Sequence, residues 1–216
     1  MRIYPFFILV VLGLVSCKEP QTQEKKVTSF QNGDLVFSHL AIPQLKSLAL
    51  LSKSDYKHIG VVFIQADTVF VYEAAGSVGL MPFSNWVAKN KLDSTLVLKR
   101  LKKEYQQEFL SKKLIDEGQK YLANYRDIIF NWSDSMMYGP ELVWKMYQRG
   151  AGITLCPTKK MKEWDHTNIF VLGRLKQKYE IEHPFILEDT VVSVDDIFTS
   201  EKLEEVYSGS YKKLVY

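Results

Sequence analysis

The chain has 216 residues, 46% hydrophobic and 25% charged, which is enough to bury the core of one domain without staples. With 28 Lys and Arg against 25 Asp and Glu the formal charge is +3, and no basic cluster is interleaved with aromatic platforms, so nucleic acid is not an expected partner. The two cysteines, Cys17 and Cys156, make no disulfide framework.

The N-terminus, MRIYPFFILVVLGLVSC, has one early charge, Arg2, then an apolar run from Ile3 to Val15, then Ser16 and Cys17. The run is too short to span a bilayer comfortably. It has the layout of a secretory signal peptide. Its ending, Leu14-Val15-Ser16-Cys17, resembles the bacterial lipobox. That resemblance implies cleavage before Cys17 and lipid on its sulfur and new amino group; an uncut anchor helix is the alternative. The following KEPQTQEKKVTSFQNG is polar and aperiodic, a tether that would hold a domain within about 20–25 Å of the bilayer. The expected organisation is a signal peptide over 1–16, the lipidated cysteine and tether over 17–32, and one domain over 33–216. The expected location is the cell envelope, lipid-anchored to a bacterial membrane and facing the periplasm or the surface.

Within the domain, DLVFSHL (34–40) reads as a strand and PQLKSLALLS (43–52) as a helix with Pro43 at its first position. HIGVVFIQ (58–65) and TVFVYEA (68–74) are rich in Val, Ile, Phe and Tyr and flank Ala66-Asp67, which predicts a β-hairpin. SVGLM (77–81) predicts a strand, PFSNWVAKN (82–90) a short helix and STLVLKRL (94–101) a strand. Residues 111–125 carry Leu114, Ile115, Gly118, Tyr121, Leu122 and Tyr125 at helical spacing, with Ser111 as a plausible cap. Residues 140–150 place Leu142, Val143, Met146 and Tyr147 on one helical face and end at Gly150, a natural C′ residue. Strands are expected at 168–175 and 189–194, and one or two helical turns within 194–207. The sum is an α+β domain, an antiparallel sheet with helices packed on it.

Cysteine hydrolases need a thiol of depressed pKa, a histidine base beside it and a polar group that orients the histidine. A helix N-terminus favours the thiolate. The best-formed helix start lies at 139–140, the best-placed histidine is His58 at a strand start, and Glu73 lies near the end of the neighbouring strand. A two-residue turn at 66–67 pairs residue 58 near residue 75, so His58 and Glu73 fall close together; the count leaves open whether they share a face.

Four stretches occur in order: GDLVF (33–37), SDYKHIGVVF (54–63), VYEA (71–74) and MMYGPELVWKMYQRGAGI (136–153). Together they resemble the YiiX/YebB-like cysteine hydrolases, the circularly permuted branch of the NlpC-type papain-like fold, in which the histidine precedes the cysteine. The resemblance covers most of 33–153. It implies that His58 is the general base, that Glu73 orients its imidazole, and that Tyr138 borders the active site. The pattern of that branch near the second site is Tyr-Cys-Ser-Glu-Leu-Val; here it reads Tyr138-Gly139-Pro140-Glu141-Leu142-Val143. The resemblance therefore places Gly139 at the nucleophilic cysteine. Without sulfur no acyl-enzyme forms, and His58 has only water to activate.

Cys156 matches no motif and reads as a small core residue. Ser133 and Ser135 read as loop or capping residues. His39, His166 and His183 show no metal-ligand spacing, so neither a metal nor a cofactor is expected. Trp86, Trp132, Trp144 and Trp164 read as core or cleft walls, and Glu141 with Lys145 as a helix-surface pair. Three functions are consistent with the sequence. The first is a lipoprotein whose cleft binds a cell-wall peptide or acyl-bearing ligand with little cleavage. The second is a hydrolase of such amide or ester bonds using a displaced nucleophile or water. The third is a structural lipoprotein that docks an envelope protein.

Overall fold

The computed structural model describes residues 30–39, 56, 58–89, 95–127, 130–163 and 188–214. The signal peptide, most of the tether, the helix expected at 43–52 and the strand expected at 168–175 lie outside the described residues.

An eight-stranded sheet organises the domain. Its strands are β1 (Leu35–Ser38), β2 (His58–Gln65), β3 (Thr68–Ala75), β4 (Ser77–Pro82), β5 (Thr95–Leu101), β6 (Tyr125–Arg126), β7 (Met136–Met137) and β10 (Leu203–Ser210). The spatial order is β10-β5-β1-β2-β3-β4-β6-β7, with every pairing antiparallel except the parallel β6–β7. A separate two-stranded ribbon pairs β8 (Lys159–Lys160) with β9 (Thr190–Val191). The helices are α1 (Phe83–Lys89), α2 (Leu110–Gln119), α3 (Gly139–Lys145) and α4 (Val194–Phe198). A π-helical turn, Met146–Gly150, continues α3.

Both faces of the sheet are covered, which explains why the central strands read as nearly unbroken apolar runs. Val36, Val62, Val71, Leu96 and Leu98 pack under Phe83, Trp86 and Val87 of α1. On the opposite face Phe37, Ile59, Val61, Tyr72 and Val97 meet Leu114 of α2 and Leu142, Val143, Met146 and Tyr147 of the third helix and its extension. The apolar face anticipated for 140–150 is thus the one that is buried. Asp34, in the GDLVF stretch, is fully buried and accepts from Nε and an Nη of Arg100 at 2.7 and 2.8 Å. It ties the entry of β1 to β5.

The hairpin register is Val61↔Tyr72, Val62↔Val71 and Gln65↔Thr68, closed by Ala66 and Asp67 with φ of 45° and 63°. Two positive φ angles give the type I′ turn whose twist suits a hairpin. The structure differs from the expectations elsewhere. The helix begun at Leu110 stops at Gln119, not 125, and its N-cap is Phe109 with no side-chain bond, so Ser111 caps nothing. The chain leaves the helix through Ala123 at φ 65°, which delivers Tyr125 to Ser77 of β4. Leu122 and Tyr125 are consequently exposed. The helical turns expected within 194–207 are the helix Val194–Phe198, and the chain then forms the edge strand β10, Leu203–Ser210.

Gly150 is not the C′ residue of its helix. The positive φ falls at Gly152, at 69°. Gly150 instead allows two helices to approach: a Cβ there would lie 2.6 Å from the Lys113 carbonyl oxygen and 3.0 Å from Glu117 Cβ. Backbone of α2 cannot yield cheaply, so Gly150→Ala is expected to lower stability by about 1–3 kcal/mol. Urea denaturation of the variant beside the parent checks this; an unchanged midpoint would mean that the helices are not held at this separation.

Candidate functional site

The hairpin register decides the site. Extending it pairs residue 60 with 73, so His58 and Glu73 lie two residues apart on the same face. The structure brings them together: His58 Nε2 stands 2.5 Å from Glu73 Oε2, with both side chains buried. The face is the α1 face, and α1 supplies two more members. Trp86 Nε1 donates to Glu73 Oε2 at 2.7 Å, and Lys89 Nζ donates to Oε1 at 2.9 Å. Burial alone would push the Glu73 carboxyl up, but its hydrogen bonds with His58 and Lys89 and the charge of Lys89 outweigh it and hold it below the ordinary value. Glu73 is therefore an ionised acceptor at neutral pH.

This arrangement fixes the imidazole. Nε2 faces an ionised carboxylate and lies 3.1 Å from the Trp86 N–H, which already donates to the same carboxylate oxygen. In the neutral imidazole this geometry places the proton on Nε2, donated to Glu73, and leaves Nδ1 as the acceptor. No hydrogen bond to Nδ1 occurs among the described residues. A bare imidazole nitrogen, oriented by a carboxylate through the other nitrogen, is what a general base requires.

The second region singled out by the sequence is the start of α3. Gly139 is its first residue, preceded by the extended Tyr138 and followed by Pro140. A Cβ built on Gly139 would meet only Ile59, its Cγ2 at 3.5 Å and its carbonyl oxygen at 3.7 Å. These are ordinary contacts, so neither space nor backbone geometry demands a glycine here. Ile59 is the neighbour of His58 in β2, which brings the helix start against the strand that carries the imidazole. Ser38 of β1 is the cross-strand partner of His58, and its buried hydroxyl has no partner among the described residues.

Tyr138 sits in the core. Its ring packs edge-on against Phe130 at 5.0 Å and its hydroxyl accepts the Val192 N–H at 3.0 Å. Glu141 and Lys145 do pair at 2.6 Å, but as a fully buried pair and not a surface one. Lys145 is also held by the Ser133 carbonyl and Asp134 and lies 4.8 Å from the Trp132 ring centroid. Burial raises the Glu141 carboxyl to about 7 against the pull of Lys145, and its Oε2 has no hydrogen-bond partner among the described residues.

Trp86, expected only as core or wall, hydrogen-bonds the carboxylate of the pair, and Lys89 was not anticipated at all. Their i, i+3 spacing on a short helix was the available signal. Ser133 and Ser135 bond each other and the Met136 N–H, as loop residues do. Trp144 donates to the Cys156 carbonyl. His39 packs against Tyr56 at 4.7 Å, and Trp164, His166 and His183 lie outside the described residues.

Comparison with known proteins adds to this geometry. A family model described as a permuted papain-like amidase enzyme, YaeF/YiiX, C92 family, matches residues 29–207. The chain belongs to that family. It is 34% identical over 179 residues to the uncharacterized protein YiiX of Escherichia coli strain K12, covering 82% of this chain and 85% of that protein. The crystal structure of YiiX from Escherichia coli O157:H7 superposes with a TM-score of 0.75 at 32% identity, over 83% of this chain and 98% of that one. The expected α+β, permuted papain-like fold is thereby shown. That relative is described as a metalloprotein. Among the described residues of this chain no three His, Cys, Asp or Glu side chains are grouped to hold a metal ion. Also among the described residues, no helix is long and apolar enough to cross a membrane.

Cys156 has the wrong environment for a nucleophile. It is buried, and burial, with Asp196 nearby, pushes its thiol up to about 12. In the folded chain Cys156 should resist iodoacetamide at mildly alkaline pH and react after denaturation, read by mass spectrometry of its peptide. Equal labelling in both states would return it as a reactive thiol.

Proposed function

We propose that this chain is a lipid-anchored member of the amidase family that retains the base half of the active site and lacks the thiol. In this reading His58 is the base, Glu73 orients it, and Gly139 occupies the seat of the nucleophile. The carrying observation is the buried His58–Glu73 pair, with no hydrogen bond to Nδ1 among the described residues, on the strand whose next residue, Ile59, meets a helix start where a Cβ fits without strain. The substrate class follows the family chemistry: an amide or ester bond in a cell-wall peptide or acyl-bearing ligand, bound with little cleavage. The position of Cys17 after an apolar run supports lipid attachment there, and so a place in the cell envelope on a bacterial membrane. A second reading, slow hydrolysis by water on His58, is favoured by the same bare Nδ1.

The test compares the full chain with its Gly139→Cys variant on a panel of cell-wall peptides and acyl esters. The variant should gain hydrolysis that the parent lacks, and adding His58→Ala should remove roughly 10²–10⁴-fold of that gain. A parent that already turns over, with loss on His58→Ala, would favour the water reading. Turnover by the parent that survives His58→Ala would end both.

A further inference from the structure

The three arginines of the described residues differ in one respect. Arg100 is paired with Asp34, and Arg149 with Asp134 and Tyr121. Arg126 is half-buried, and its guanidinium makes no hydrogen bond or ion pair among the described residues. Its place in the fold is next to the site. Its backbone N–H donates to the Gly76 carbonyl at 2.7 Å, and it pairs in register with Met137, two residues before Gly139.

The charge named as acting on Arg126, apart from burial, is that of Glu73. Glu73 makes no hydrogen bond to it. Oε2 takes His58 and Trp86, and Oε1 takes Lys89. With His58 neutral, Glu73 contributes −1 and Lys89 and Arg126 contribute +1 each, leaving one uncompensated positive charge. A desolvated cation without a counter-charge is costly, and a bound anion relieves it. The guanidinium fork matches a carboxylate through two parallel hydrogen bonds.

We propose that Arg126 anchors a free carboxylate of the ligand beside the His58–Glu73 pair. The ligand is then an acyl or peptide chain with a carboxylate a few bonds from its amide or ester linkage. This rests on the reading that the cleft is an amidase site.

The test uses the full chain carrying Gly139→Cys and two ester probes of similar size, mono-p-nitrophenyl glutarate and p-nitrophenyl valerate. The anchor predicts kcat/KM roughly tenfold or more higher for the glutarate ester. Arg126→Gln should bring the ratio close to one, and Arg126→Lys should restore part of it. Because the readout is a ratio within one variant, a loss of folded protein does not imitate the effect. Equal rates on the two esters, or a preference that survives Arg126→Gln, would overturn the anchor while leaving the amidase reading intact. If neither ester is hydrolysed, that reading is the one in trouble, and calorimetry on the unmodified chain decides the anchor alone. Glutarate should bind more tightly than glutaramide, and Arg126→Gln should abolish the difference; no difference overturns the proposal. Inorganic phosphate displacing glutarate at lower concentration than glutarate itself requires would overturn the carboxylate assignment in favour of a phosphate ligand.

Discussion

One two-residue turn sets the rest. Ala66 and Asp67 adopt positive φ angles that only a tight hairpin connection justifies, and so fix the pairing of β2 with β3. A slip by one residue would send either His58 or Glu73 through the sheet to the other face. With the register held, the two meet on the α1 side, and the first and last turns of α1 carry the residues that complete the carboxylate's shell. The same register leaves Ile59 on the opposite face, where it receives the start of α3.

The sheet thus works as a partition. One side builds and buries the base. The other carries α3, whose first residue, Gly139, lies against Ile59. Glu141 and Lys145 hold that helix from inside the core, as a pair within it and as a bridge to the 133–134 loop. Such a pair is costly to desolvate and is a weak source of net stability. Its effect here is positional, since it pins the end of α3 that bears Gly139. The helix start at Gly139 is therefore held by buried polar contacts as well as by apolar packing.

The parts of this account legible in the sequence were those with strong local signals. The Val- and Ile-rich strands about Ala66-Asp67 fixed the hairpin, and with it the approach of His58 to Glu73. The spacing of Leu142, Val143, Met146 and Tyr147 identified the buried face of α3. Other features depend on tertiary context. β10 carries Glu204 and Glu205, which sit on an exposed sheet edge, where they discourage further pairing. β6 and β7 are two residues each, too short for any periodicity. Glu141 and Lys145 have the spacing of a solvated pair, and nothing local reports that Trp132 and the 133–134 loop close over them. Lys89 and Arg126 become significant only once the fold gathers them near one carboxylate.

The most direct test of the central claim is nitrogen NMR of the imidazole rings in the unmodified chain at neutral pH, with His58 assigned by the loss of its signals in His58→Gln. The account predicts the proton on Nε2, donated to Glu73, and a bare Nδ1 with the chemical shift of a free lone pair. A proton on Nδ1 would contradict it, because the imidazole would then have no free lone pair to act as a base, and the pair would be a packed polar core.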